Sequence, residues 1–570
     1  MFLKKLKFAK LAPELVLLTI IFLIGSFLRL YRLDLAPPAL NWDEASHGYN
    51  AFSILASGRD EWGNKFPTIF RAFGDFKLPV YIYLTTIPVK LFGLTAFAVR
   101  FISALAGSLA IVGVYWLVNN LFPQLKYRLG KNSFSLGLVS AFILAFLPWH
   151  FFISRPALEA NLSLSFIIFG FAALKQGQKH SLLTTLGLLL LGLSLHTYNS
   201  ARVFVPLLLI VWFFLQRRQL KLNPGLVFGI LIFAISLALM TQQVISGSAL
   251  ARYQKLTLLN PGVVYQIGQS RLASTLPEPL PRLIYNRPVY FLLTLGRNYL
   301  NFFTPQFIYQ SSGAQWQFAI PGMNLFGLPV LILAILGLVI CSKRQRLDCS
   351  YTFLIAWLLL APLPAALTAD PPQALRPLYM IIPVAILASF GLGRYLAIFE
   401  VKPRLKLACA FIAFAVITLA FAKYWRVYWQ IYRTEFAASW QDGYQQMYDF
   451  VLANNAKYDK IIITKVLGEP HIYLAFYGQL PPRQLWPESD NIRFFQSDWY
   501  WTDKIGKYYF VNDWNLTPTI DKTVKLESGQ EIRLEKTLII ASPSHLPLSA
   551  SKIKQIIGQN GLPVFDIGVK

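Results

Sequence analysis

Apolar runs recur along the first three quarters of the chain, and a helix of about 20 such residues spans a hydrocarbon core of about 30 Å. Eleven can be marked, at 13–31, 97–121, 134–152, 160–174, 182–197, 201–215, 225–245, 325–341, 351–368, 377–397 and 406–424. Hydrophobic residues make up 55% of the 570 and charged residues 14%, which excludes a disordered chain. The net charge is +26. A nucleic-acid binder gathers such charge on one face, whereas here Lys and Arg form short clusters between apolar runs.

Those clusters alternate, and translocation is resisted by Lys and Arg far more than by acidic residues. Lys4, Lys5, Lys7 and Lys10 precede the first run; Lys126, Arg128 and Lys131 follow the second; Lys175 and Lys179 follow the fourth. Arg217, Arg218 and Lys221 follow the sixth, Lys343, Arg344 and Arg346 the eighth, and Lys402, Arg404 and Lys406 the tenth. The pattern predicts a plasma-membrane protein with a cytoplasmic amino terminus, the first run being retained because it lacks a small-residue cleavage site. Arg155, Arg202 and Arg376 then face outward, as do segments 32–96, 246–324 and 425–570. Cys341, Cys349 and Cys409 fall in or beside apolar runs, which sets aside a disulfide framework.

The first external segment is the most informative. NWDEASHGYNAFSILASG, 41–58, follows Pro37 and Pro38 and predicts an amphipathic interfacial helix, capped by Asn41 or Asp43 and stopped at Gly58. Neighbouring helical positions diverge by about 100°, so one carboxylate of Asp43 and Glu44 can face a site while the other supports it. Lys77 lies just before a second shallow helix, with Pro79 suited to its first turn. His47 is one turn from Asp43, but one His and a carboxylate make no metal site, and His47 is expected as a polar wall residue. No Gly-rich nucleotide loop occurs, which disfavours a soluble nucleotide-sugar donor.

NWDEASHGYNA, DFKLPVYIYL and AVRFISALAGSLAIVGVYWL, in this order, resemble the protein O-mannosyltransferase and aminoarabinose transferase group of GT-C membrane glycosyltransferases. The resemblance is strongest from 15 to 125 and continues more loosely through FISRPALEANLS, LHTYNSARVFVP and PPQALRPLYMIIPVAIL. It implies a polyprenyl-phosphate sugar donor and an acidic residue of the first loop facing the acceptor; by match that residue is Asp43, with Glu44 beside it. Where the aminoarabinose transferases have an acidic residue just before the lysine, this chain has Phe76, and Asp75 is displaced by one.

The chemistry fits those residue types. A carboxylate can remove the acceptor proton, and fixed cations can stabilise the departing phosphate. Asp43 is therefore assigned as base with inversion at the anomeric carbon, and Lys77, with Arg155, Arg202 or Arg376, is placed around the phosphate. His47, Glu159, His196 and Tyr198 are pocket candidates. No cofactor is expected, and a divalent metal is not favoured. The expected partners are the polyprenyl-phosphate sugar, a hydroxyl acceptor on protein, lipid or glycan, and membrane lipid, without nucleic acid.

Segment 246–324 reads equally as a lid or acceptor-facing loop and as a plain connector. Beyond Trp425, Tyr428 and Trp429 the pattern changes: a helix at 443–454 and strands at 460–466, 472–477, YYFVND and TLIIAS suggest a small α/β domain. The expectation is thus an α-helical polytopic membrane protein of GT-C type with about eleven crossings. Its transmembrane catalytic domain covers 1–424, with external loops 32–96 and 246–324, and an external α/β domain covers 425–570. The rival reading, a transporter or lipid flippase, would place ionisable residues and broken helices at mid-membrane, often in repeated halves.

Overall fold

The computed structural model describes the chain apart from residues 1–12, 130–131, 179, 220–221, 246–256, 311–315, 345–348, 370–371, 399–401 and 517–522. Lys4, Lys5, Lys7, Lys10, Lys131, Lys179, Lys221, Arg346 and the start of segment 246–324 lie outside the described residues. Packing divides the chain into two units: Met1–Tyr31, Ser103–Ser154 and Leu158–Trp425 form one, and Arg32–Ile102, Arg155–Ala157 and Arg426–Lys570 form the other. The first loop, 32–96, and the tail from Arg426 onward therefore fall in one unit.

The first unit is helical. Among the described residues six helices are long and apolar enough to cross a membrane: Pro13–Leu30, Ala96–Leu121, Pro224–Ile245, Cys349–Ala366, Leu378–Ala397 and Pro403–Glu435. Leu136–Ala145, Ser181–Leu195, Ala201–Gln216 and Leu328–Cys341 are apolar but shorter. Glu159–Gly177 is a helix of 19 residues that carries Glu159, Asn161 and Lys175. The run 134–152 is not one helix. It breaks into Leu136–Ala145 and Pro148–Ile153, because a proline lacks the N–H that would continue the ladder. Carbonyls freed at the break are received by the buried Arg29, which donates to Leu144 O and Ala145 O at 3.3 Å each and lies 2.8 Å from His150 Nδ1.

Two of these helices touch through backbone. A Cβ at Gly337 would stand 1.8 Å from Leu387 O and one at Gly391 would stand 1.9 Å from Leu333 O, so Leu328–Arg344 and Leu378–Ala397 meet where neither has a side chain. Segment 246–324 is largely helical where described, as Pro261–Leu272, Leu280–Ile284, Arg287–Asn301 and Pro305–Ile308. None of the three cysteines is joined in a disulfide.

The second unit is built on a seven-stranded sheet ordered Ser551–Ile557, Pro563–Val569, Thr537–Ala541, Lys460–Thr464, Tyr508–Val511, Trp499–Ile505 and Asn491–Gln496. Its three central strands, Thr537–Ala541, Lys460–Thr464 and Tyr508–Val511, run parallel, and the outer pairs are antiparallel. The central strands read as continuous apolar runs because both faces are covered. Residues 472–477 are not a strand. They belong to helix Pro470–Tyr477, buried from Pro470 to Phe476. A short apolar run does not discriminate between the two by period; here Pro470 at the first helical position and Glu469 in the left-handed region before it start a helix.

Candidate functional site

Helix Trp42–Ser57 begins with a full capping box. The Asn41 side chain accepts from Asp43 N at 2.9 Å, and Asn41 N donates to Glu44 Oε2 at 3.1 Å. It ends at Gly58, whose φ of 68° is left-handed. The interfacial placement expected for this helix is corrected: its residues from Glu44 to Ala51, with Ser53 and Ile54, are buried within the unit. Small side chains allow that closeness, and a Cβ at Gly48 would lie 2.5 Å from Val99 and 2.6 Å from Phe476.

Asp43 and Glu44 diverge into different surroundings. The Glu44 carboxylate is 1% exposed and accepts from Arg100 Nε and Nη2 at 2.9 Å each and from Ala157 N at 2.8 Å. Arg100 also donates to the carbonyls of Leu33, Pro37 and Ala39, so the pair ties the approach to the helix in place. The Asp43 side chain is 39% exposed, and its Oδ1 lies 2.8 Å from Lys77 Nζ. Lys77 is set there by a two-residue ladder in which it pairs with Phe70 and Phe76 pairs with Arg71. His47 is buried against the Tyr81 ring, at 5.2 Å between centroids.

Arg155 is fully buried. It donates to the carbonyls of Arg32 and Ala36 and to the Tyr428 hydroxyl, with its guanidinium 5.5 Å from the Tyr428 ring. These bonds, to two backbone carbonyls and one hydroxyl, make Arg155 a brace within the unit.

The remaining candidates belong to the helical unit. Arg202 and Arg376 line one cavity of about 350 Å³ together with Tyr198, Ser200, Thr257 and Thr368. Arg202 donates to Leu195 O at 3.1 Å and to Gln243 Oε1, and Arg376 donates to Thr368 Oγ1 at 2.6 Å. His196, whose Nε2 lies 3.1 Å from Ser236 O, and Glu159, the first residue of its helix, are not among the residues lining that cavity. Among the described residues no three His, Cys, Asp or Glu side chains come together as a metal group.

Three features of the second unit escaped the sequence reading. Arg100 is one, although an arginine in the opening turns of an apolar run is costly and marks itself for a partner. Another is Glu61, buried and held by Arg493 Nη2 and Asn50 Nδ2 at 3.1 Å each, with the Arg493 guanidinium 3.4 Å from the Trp62 ring centre. Glu469 is the third. It accepts from Trp499 Nε1, lies 3.4 Å from His471 Nδ1, and is pushed up to about 8 by burial, while Trp499 and Lys465 pull the other way. Burial holds His471 well below its ordinary value.

No protein-family model matches the sequence, and no curated protein matches it. Solved structures do match. ArnT from Cupriavidus metallidurans bound to undecaprenyl phosphate has a TM-score of 0.54 at 13% identity, over 97% of each chain. The apo state of the same protein gives 0.50 at 13%, again over 97% of each. The Archaeoglobus fulgidus oligosaccharyltransferase in its apo form gives 0.45 at 16%, over 78% of this chain; this chain spans only 58% of that one. At such identities the likeness is one of fold: this chain is built on the GT-C fold, as is the ArnT aminoarabinose transferase.

Proposed function

We propose that the chain is a membrane glycosyltransferase that moves a sugar from a polyprenyl phosphate to an acceptor hydroxyl. The observation that carries this reading is the Asp43–Lys77 pair: a part-exposed carboxylate 2.8 Å from an ammonium, beside a second carboxylate that is buried and fully engaged. The GT-C fold supports it, as does the undecaprenyl phosphate bound by ArnT.

In the proposed reaction Asp43 accepts the acceptor's hydroxyl proton as that oxygen forms a bond to the anomeric carbon. The bond from that carbon to the phosphate oxygen breaks, and the polyprenyl phosphate leaves with the electron pair. A single displacement of this kind inverts the anomeric centre. Lys77 neutralises Asp43 in the absence of donor, and transfer of its ammonium to the phosphate frees the Asp43 oxygen to take the proton. Glu44 and Arg100 keep the helix start in place. Within the helical unit, Arg202 and Arg376 give one cavity two guanidinium groups of the kind that bind phosphate. The alternation of basic clusters supports eleven crossings with a cytoplasmic amino terminus, and with it an external position for Asp43 and for the residues beyond 425.

The test is release of polyprenyl phosphate when the purified chain is incubated with a panel of polyprenyl-phosphate sugars. Asp43→Asn is expected to lower turnover by about 10²- to 10⁴-fold while donor binding persists. Undiminished transfer by that variant removes the base assignment, and no release with any donor removes the enzymatic reading.

A further inference from the structure

The helical unit holds two further cavities besides the one lined by Arg202 and Arg376. One, of about 490 Å³, has an almost wholly apolar wall that includes Leu17, Ile21, Leu138, Phe142, Leu396 and Phe414. The other, of about 380 Å³, is lined by Lys126, Arg128, Arg394 and Lys406, with no acidic residue among the described residues of its lining. They adjoin, since Tyr127 and Leu396 line both.

The two characters meet in one short hairpin. Strands Lys126–Leu129 and Asn132–Ser135 pair so that Tyr127 stands opposite Phe134, Lys126 opposite Ser135 and Arg128 opposite Ser133. Residues directly opposite share a face and successive ones alternate, which puts Tyr127 and Phe134 on one side and the two cations on the other. Tyr127 is seated firmly: its hydroxyl donates to Ser389 O at 2.5 Å, and its ring lies where a Cβ at Gly393 would come within 2.3 Å. None of the four cations forms an ion pair among the described residues, while Glu14, at the start of helix Pro13–Leu30, accepts from the Ser135 hydroxyl.

We propose that this pair of cavities is a binding site for an anionic glycerophospholipid of the surrounding bilayer, distinct from any donor site. Its phosphate is held by Lys126, Arg128, Arg394 and Lys406, and one acyl chain enters the apolar cavity. Charge complementarity selects an anionic headgroup, and basic pockets between membrane helices take such groups. A volume near 490 Å³ suits an acyl chain, whereas a polyprenyl tail is several times longer. A free phosphate would leave the apolar half unused.

The experiment is lipid titration of the full-length chain in detergent, followed by native mass spectrometry, with dioleoyl phosphatidylglycerol, dioleoyl phosphatidylcholine, glycerol 1-phosphate and undecaprenyl phosphate as probes. Phosphatidylglycerol is expected to bind at least about tenfold tighter than phosphatidylcholine. Combining Arg128→Gln with Arg394→Gln, both exposed, costs phosphatidylglycerol roughly fivefold per charge and leaves phosphatidylcholine unchanged. Val139→Phe, which fills the apolar cavity, weakens both lipids. Equal binding of the two lipids, no loss in the double variant, or competition by glycerol 1-phosphate as strong as that of the lipid would overturn the proposal. Tighter binding of undecaprenyl phosphate than of phosphatidylglycerol, lost in the same double variant, would assign the site to the carrier instead and overturn it too.

Discussion

Arg100 grips Glu44 with both ends of its fork, Nε on Oε1 and Nη2 on Oε2, each at 2.9 Å, and neither side chain reaches solvent. Opposite charges so placed are costly to separate, because either one alone would be left buried without compensation. Glu44→Ala or Arg100→Met is therefore expected to destabilise the fold by about 3 to 5 kcal/mol, read as a lowered unfolding midpoint in detergent. Removing both should cost less than the sum, and an additive double variant would show that the two do not act together.

Asp43 predicts the opposite balance. Its side chain is 39% exposed, so Asp43→Asn is expected to leave the unfolding midpoint nearly unchanged while lowering turnover by about 10²- to 10⁴-fold. Lys77→Met should raise the KM for donor as well as lower kcat. Steady-state release of polyprenyl phosphate at several donor concentrations separates the two.

Glu469 gives a pH dependence with a defined sign. Its folded carboxyl is raised from 4.5 to about 8, so the folded chain keeps a proton that the unfolded chain has lost in that window. The contribution is fully present below pH 4.5 and disappears as pH rises through about 8. His471 is held low and acts in the reverse direction below 6.5, which leaves the Glu469 trend visible between about 6.5 and 8. Tryptophan fluorescence during urea unfolding should report stability falling across that interval, and Glu469→Gln should flatten the slope.

Gly337 and Gly391 predict sensitivity inside the helical unit. With only 1.8 and 1.9 Å between an added Cβ and the opposing carbonyls, Gly337→Val or Gly391→Val must drive two helices apart, at a cost of about 1 to 3 kcal/mol or more. Size-exclusion chromatography of the purified variants should show loss of the monodisperse peak, whereas Leu336→Val, at a part-exposed neighbouring position, should keep it.

Local signals explain what could be read in the sequence. Asn41 and Gly58 bound their helix as cap and stop, and Lys460–Thr464 and Thr537–Ala541 are the strands their β-branched runs suggest. Apolar length located the helices, yet only six have enough of it among the described residues to cross by themselves. Partners distant in sequence left no such trace. Glu61 and Arg493 lie 432 positions apart, and nothing near either residue announces the other. Helix Pro470–Tyr477 is hidden for a different reason, since a short apolar run has no period that separates helix from strand, and the stacking of Tyr473 on Tyr444, 4.2 Å between centroids, exists only after folding. For Arg155 the residue type was legible but its neighbours were not, and backbone carbonyls claim the fork.

The interruption at Pro148 also reaches beyond its own helix. Arg29 satisfies the loose carbonyls it creates, and in doing so finds the acceptors that make a charge tolerable at that depth. Each oddity excuses the other. An uninterrupted helix would leave the guanidinium only the Gly25 carbonyl of its own helix among these backbone acceptors, and a leucine at position 29 would take from Ala145 O the donor it has there.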